Sequence, residues 1–196
     1  MSAGTPVTFP VIRKAQRVIG HHIVLRNATI DDAAFIVRLR TDPIKQRYIS
    51  ATSPEVAQQV AWLERYQHAT DQAYFVVEDK RGDPVGTIRI YDPVDDSFCI
   101  GSWVMQAGTT VNHAAEALIV TYRYAFEVLG FNRSYFAVRH ANRSVWRFME
   151  RFGAVRTSTT ELDYCYESQR EPLLAALNRY RHILPHPIQV IHDPVS

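Results

Sequence analysis

The chain has 196 residues, 46% of them hydrophobic, and its 22 Lys plus Arg against 20 Asp plus Glu leave a formal charge of +2. That length and apolar content describe one globular domain with a full-sized core. The balanced, scattered charge offers no basic stripe for nucleic acid, and apolar runs such as Ala117 to Val120 are far too short to cross a bilayer.

Residues 1–21 carry two prolines and mixed charge without a period, which predicts an extended N-terminal arm or a homodimer contact, with no apolar core of a secretory signal. His22 to Arg26 reads as a first strand. Thr29 with Asp32 forms a capping-box pattern for a helix running to about Arg40, where Pro43 stops it. The loop Asp42 to Thr52 holds Lys45, Arg47, Tyr48 and Ser50, a mixture of cations and aromatics suited to a phosphate or a base, or else simply a solvated loop. Ser53-Pro54-Glu55 then opens a second helix that carries Val56, Val60 and Leu63 to about Tyr66.

Tyr74 to Glu78 and Val85 to Tyr91 flank the turn Arg81-Gly82-Asp83-Pro84 and predict a hairpin. The next strand, Ser97 to Met105, leads into a turn with Gly108, Thr109, Thr110 and Asn112. From Ala114 the residues Ala117, Leu118, Thr121, Tyr122, Ala125, Phe126 and Leu129 keep the stripe of a buried helix, closed by Gly130. Free N–H groups and the positive end of the macrodipole make such a helix start a phosphate site. Arg133 to Val138 is a further strand. Asn142 caps a short helix with Val145, Phe148, Met149 and Phe152 inward, ended by Gly153; Val155 to Tyr166 is a strand pair or one long strand, and Glu171 to Leu184 a last helix. Cys99 and Cys165 lie in strand-like runs without metal or redox spacing, and are expected as buried free thiols of a cytoplasmic protein; the histidines show no ligand spacing, so no metal is expected.

This order resembles the GCN5-related N-acetyltransferases (GNAT), and most closely their branch acting on ribosomal-protein N-termini or nucleotide-linked amino sugars. Three pieces carry the resemblance: Ile23-Val24-Leu25-Arg26 followed by Asp31-Asp32-Ala33; Glu116-Ala117-Leu118 with Tyr124-Ala125-Phe126-Glu127 and Leu129-Gly130; and Asn142 through Met149-Glu150-Arg151-Phe152-Gly153. The resemblance implies an α+β fold, a mixed and mostly antiparallel sheet splayed in the middle with helices on both faces, formed by one domain over residues 22–184 with a tail at 185–196.

It also implies acetyl-CoA as co-substrate, with its pyrophosphate on the backbone amides of Thr109, Thr110, Val111, Asn112, His113 and Ala114. Strand amides at Trp103, Val104 and Met105 would hold the pantetheine arm and polarise the thioester carbonyl, and Asn142 would bond the pantetheine or help fix the splayed strand end. The family's usual turn is Gln/Arg-x-x-Gly-x-Gly/Ala, of which only Ala114 remains, and Asn112 would take a glycine's left-handed geometry. Many relatives place a thiolate-protonating Tyr where this chain has Met149, so the acid comes from elsewhere, from water or from nowhere; Tyr164 on the last strand is the candidate substitute, or else a half-buried packing residue. Asp96, at a position where several relatives carry a carboxylate, is a candidate base or part of a solvated turn with Asp95. Ser102 would order a proton-accepting water or pack under a helix, and His113 and His140 fall near the cleft mouth. The implied acceptor is a small-molecule amine, preferably a nucleotide-linked amino sugar; the alternatives are a protein N-terminus, or a non-catalytic acyl-CoA sensor or interaction protein.

Overall fold

The computed structural model describes residues 8–192. Within them nine strands form one sheet in the order β7-β8-β6-β5-β4-β3-β2-β1-β9. In chain order these are β1 (Arg17–Ile19), β2 (Ile23–Asn27), α1 (Ala33–Arg40), α2 (Val56–His68), β3 (Ala73–Asp79), β4 (Pro84–Val94), β5 (Ser97–Met105), α3 (Val111–Arg123), β6 (Arg133–Arg139), α4 (Arg143–Arg151), β7 (Val155–Thr159), β8 (Asp163–Gln169), α5 (Arg170–Leu177) and β9 (Gln189–Ile191).

Strand alternation divides the interior into two cores. Phe75, Val77, Ile88, Ile90, Phe98 and Ile100 point to the face covered by α3, α4 and α5, while Tyr74, Val76 and Val104 point to the face covered by α1 and α2. The β5–β6 pair is parallel, so it needs a long crossover, supplied by α3 and its π-helical continuation Tyr124–Val128. Asp32 caps the turn before α1, accepting the Thr29 N–H at 2.7 Å as the sequence pattern predicts, and is held by Arg26 at 2.7 Å.

Several boundaries differ from the sequence reading. The expected arm, from residue 8 onward, is part of the fold: Ile12, Ala15 and Val18 are buried, and β1 pairs with both β2 and β9. A three-residue strand has too few positions to show a period, which is why β1 and β9 escaped notice. Residues 1–7 of that arm and 193–196 of the tail lie outside the described residues. Helix α2 starts at Val56 rather than Pro54, with the Ser53 hydroxyl accepting the Glu55 N–H at 3.3 Å. The last helix stops at Leu177 and continues only as a 3-10 turn to Tyr180.

Candidate active site

The site is built on a break in the sheet. Strands β5 and β6 pair only through Ser97↔Arg133, Phe98↔Ser134 and Cys99↔Tyr135. Beyond Cys99 the two strands part, leaving about 17 Å of β5 without that neighbour at 3.3 Å per residue. Asp96 pins the closed end: its carbonyl accepts the Asn132 and Arg133 amides, and its carboxylate binds Arg133 at 2.8 Å. The bond from Arg133 holds the Asp96 carboxyl below its ordinary value, as an ion-paired clamp. The candidate base Asp96 thus sits at the closed end of the seam and not at the opening.

A bulge in β5 accompanies the parting. The β4–β5 register shifts between Thr87 and Arg89, so that Ser102 and Trp103 together oppose Ile88, and Ser102 adopts φ +48°. Thr87 donates its hydroxyl to the Ser102 carbonyl at 2.8 Å and fixes the bulge. Gln106 donates its N–H to the Val85 carbonyl at 2.7 Å, and the alternation of an antiparallel ladder then turns the Met105 amide and carbonyl towards the open side. The same alternation commits the Val104 amide to β4. Trp103 packs on Phe148 of α4, and its indole N–H is buried without a partner.

The turn before α3 is exposed from Gln106 to Gly108 and again from Thr110 to Asn112. Its geometry corrects the sequence reading at two points. The helix begins at Val111, not Ala114, because Thr110 is the N-cap, its hydroxyl accepting the His113 N–H at 3.2 Å and its carbonyl the Ala114 N–H. Asn112 is therefore helical and takes no left-handed geometry; the positive φ falls on Gly108, at +85°. Thr109 spends its N–H on Gln106, which leaves the Val111 and Asn112 amides without an acceptor among the described residues. These free amides, the open gap and the Met105 amide suit a phosphorylated thioester. They would hold acetyl-CoA, whose chemistry is to present an electrophilic acetyl thioester at the gap.

Next to the gap, on the α1/α2 face, opens a cavity of about 1070 Å³. Arg40 of α1, Trp62 and Arg65 of α2, Arg89 and Tyr91 of β4, and Ser102 of β5 form one wall; Ala137 and Arg139 of β6 and Asp163, Cys165 and Glu167 of β8 form the other. Tyr48, Ser50 and Thr52 bring in the loop between α1 and α2, whereas Arg47 turns to the Ile44 carbonyl and the Tyr48 ring. The lining thus holds four arginines against two carboxylates, and Asp163 is already bound to Arg139 at 3.1 Å. Among the described residues Arg40 binds only neutral groups: the Thr52 hydroxyl at 2.7 Å, the Ser50 hydroxyl at 2.9 Å and carbonyl at 3.3 Å and, at 3.5 Å, the Ser102 hydroxyl.

Of the candidate catalytic residues, Ser102 lines this cavity. Tyr164 does not: it faces the α4 side, against His140 at 4.3 Å and under the Arg156 guanidinium at 3.6 Å. Met149 is buried in the core and has no proton to give. Asn142 caps α4 with its carbonyl, accepting the Val145 and Trp146 amides. Both cysteines are free, as expected, but half-buried in the cavity wall instead of fully buried. Among the described residues no cluster of His, Cys, Asp and Glu has the makings of a metal site, and no helix is long and apolar enough to cross a membrane. Sequence reasoning missed Arg89, Trp62 and Arg65. The signal for Arg89 was the alternation Thr87-Ile88-Arg89-Ile90-Tyr91, which sets a cation and a phenol on the second face of a strand that is apolar on its first.

Comparison with known proteins agrees with this geometry. The model of the acetyltransferase (GNAT) domain family matches residues 22–155. No curated protein sequence matches. Among solved structures, apo FdhC, a nucleotide-linked sugar GNAT, superposes with a TM-score of 0.77 at 27% identity over 86% of this chain and 98% of its own. A GCN5-related N-acetyltransferase from Brucella melitensis gives 0.74 at 19% identity over 91% and 90%, and a spermidine N-acetyltransferase SpeG chimera from Vibrio cholerae and hSSAT gives 0.68 at 16% identity over 79% and 99%.

Proposed function

The chain belongs to the GNAT acetyltransferase family, and from that premise we propose that it transfers acetyl from acetyl-CoA to a primary amine of an anionic small molecule, a nucleotide-linked amino sugar. The observation that carries this reading is a parted β5–β6 seam opening beside a cavity whose lining holds four arginines against two carboxylates. Such a cavity repels a polyamine and attracts a diphosphate. The 27% identity to FdhC, which acts among nucleotide-linked sugars, supports the same acceptor class.

The chain's own groups account for the remaining chemistry. The Val111 and Asn112 amides and the helix dipole of α3 neutralise phosphate charge, and the Met105 amide is aimed where a strand-like pantetheine arm would accept it. The same Met105 amide, fixed in the β4–β5 ladder, would be the donor for a carbonyl in the gap without reorganising. Arg40 beside Ser102 disfavours a second cation, so an acceptor ammonium held there loses its proton more easily; the Ser102 hydroxyl is the neighbouring group through which a water would carry it away. Holding amine and thioester together then supplies most of the rate.

The test is incubation with acetyl-CoA and a panel of amines, following both free-thiol release and acetylated product by mass spectrometry. Product with a nucleoside-diphosphate amino sugar and little with spermidine supports the reading. Transfer to spermidine or to peptide N-termini in preference overturns the acceptor, and absence of any transfer overturns the catalytic reading.

A further inference from the structure

Arg89 is the cation in the cavity whose surroundings are incomplete. It stands on β4 at the bulge, paired with Tyr74 of β3 and Gly101 of β5. Its guanidinium lies over the Tyr91 ring at 3.8 Å from the centroid and near the Trp62 ring at 5.5 Å. Burial pushes the Tyr91 phenol up to about 12, so the ring stays neutral and presents its electron-rich face to the cation. Gly101 makes room for this arrangement: a Cβ there would meet the Tyr91 hydroxyl at 2.8 Å.

What Arg89 lacks is an anion. It has no carboxylate partner among the described residues, its polar neighbour is the neutral Tyr91 hydroxyl, and its Nε is buried with no partner. The cavity carboxylate without an ion pair among the described residues, Glu167, is on β8, three strands away in the sheet order. A buried guanidinium donor left unpaired is costly, and aromatic faces satisfy its charge but none of its N–H groups. Arg40 and Arg65, on the helices above, likewise have no carboxylate partner among the described residues. Three cations from α1, α2 and β4 therefore converge on one wall, with Arg89 the deepest in the sheet.

We infer that Arg89 is the anchor for the diphosphate of the acceptor, a specificity-determining residue that fixes a nucleoside-diphosphate carrier so that its amine reaches Ser102 at the gap. The planar fork of Arg89 fits two phosphate oxygens while the Tyr91 ring backs it, and Arg40 and Arg65 neutralise the remaining charge. This inference rests on the acceptor class proposed above, and it assigns the recognition to one strand residue instead of the loop Asp42 to Thr52.

The test is calorimetric titration with uridine diphosphate, a probe without an amine, in the presence of saturating acetyl-CoA so that the α3 turn is occupied. The wild type should bind the probe with an affinity that falls as salt rises. Arg89→Met should weaken it at least 10-fold and flatten the salt dependence, Arg89→Lys should fall between, and acetyl-CoA affinity should stay within a factor of two. Should Arg89→Met fail to fold, Arg89→Lys carries the comparison: it keeps the charge but loses the planar fork, so probe affinity should still fall while the salt dependence persists. Equal probe affinity in the wild type and the variants, or no probe binding by a wild type that binds acetyl-CoA, overturns the inference and leaves the transferase standing. A wild type that binds no acetyl-CoA instead overturns the transferase reading.

Discussion

Replacing Thr110 with Glu puts a carboxylate at the N-cap of α3, beside the free Val111 and Asn112 amides. At about 5 Å, each like-charge pair with a bound diphosphate costs about 0.8 kcal/mol in water and about 3 kcal/mol at an effective dielectric of 20. Thr110 is exposed, which favours the lower part of that range. Two diphosphate charges then give about 2–3 kcal/mol, roughly 30- to 150-fold in Kd for acetyl-CoA. Stability should move little. Losing the hydroxyl that accepts the His113 N–H costs about 1 kcal/mol, while a carboxylate at a helix N-terminus returns about 0.3–1 kcal/mol. Thr110→Val separates the two effects, since it removes the cap without adding charge and should alter the Kd by no more than about threefold while lowering stability by about 1 kcal/mol. Calorimetric titration of the three proteins with acetyl-CoA reads the difference. If Thr110→Glu binds as tightly as the wild type, the α3 turn does not hold the diphosphate and the reasoning fails.

Two further expectations concern the fold beneath the site. Glu116 is fully buried, and its carboxylate accepts the backbone amides of His21, His22 and Ile23, tying the strand start to α3; Glu116→Ala strands those donors and should cost about 3–5 kcal/mol, on the order of 10 °C in Tm for a chain of this size, and a calorimetric Tm within about 2 °C of the wild type would contradict it. Burial opposes ionisation of Asp32, but the bonds from Arg26 and Thr29 outweigh it and hold its carboxyl below the ordinary 3.8. Its contribution is therefore complete above about pH 4 and is lost as pH falls through the lowered folded value. Urea unfolding as a function of pH should show that acid loss in the wild type and a shallower one in Asp32→Asn; parallel curves would mean that the Arg26 pair carries no pH-linked stability.

The long elements were legible because period and caps agree with packing: the stripe on α3 ending at Gly130, the Thr29 and Asp32 pattern before α1, and the hairpin around Gly82. The parted seam came from resemblance, since no local pattern marks where two parallel strands stop pairing. The bulge at Ser102 was illegible for a related reason, because its φ of +48° is imposed by a tertiary register shift against Thr87 and not by its own side chain. Asn112 was misassigned because a residue that tolerates left-handed geometry is not thereby obliged to adopt it, and Gly108 four positions earlier makes the turn. The cavity arginines are scattered over 100 positions, from Arg40 to Arg139, and only the sheet order brings them together.

The most direct measurement of the central claim is a crystal structure of the protein with CoA. The account requires the pantetheine arm to lie between β5 and β6 beside Met105, with the diphosphate on the Val111 and Asn112 amides. Density for CoA anywhere else, or β5 and β6 hydrogen-bonded past Cys99 once it is bound, would contradict it.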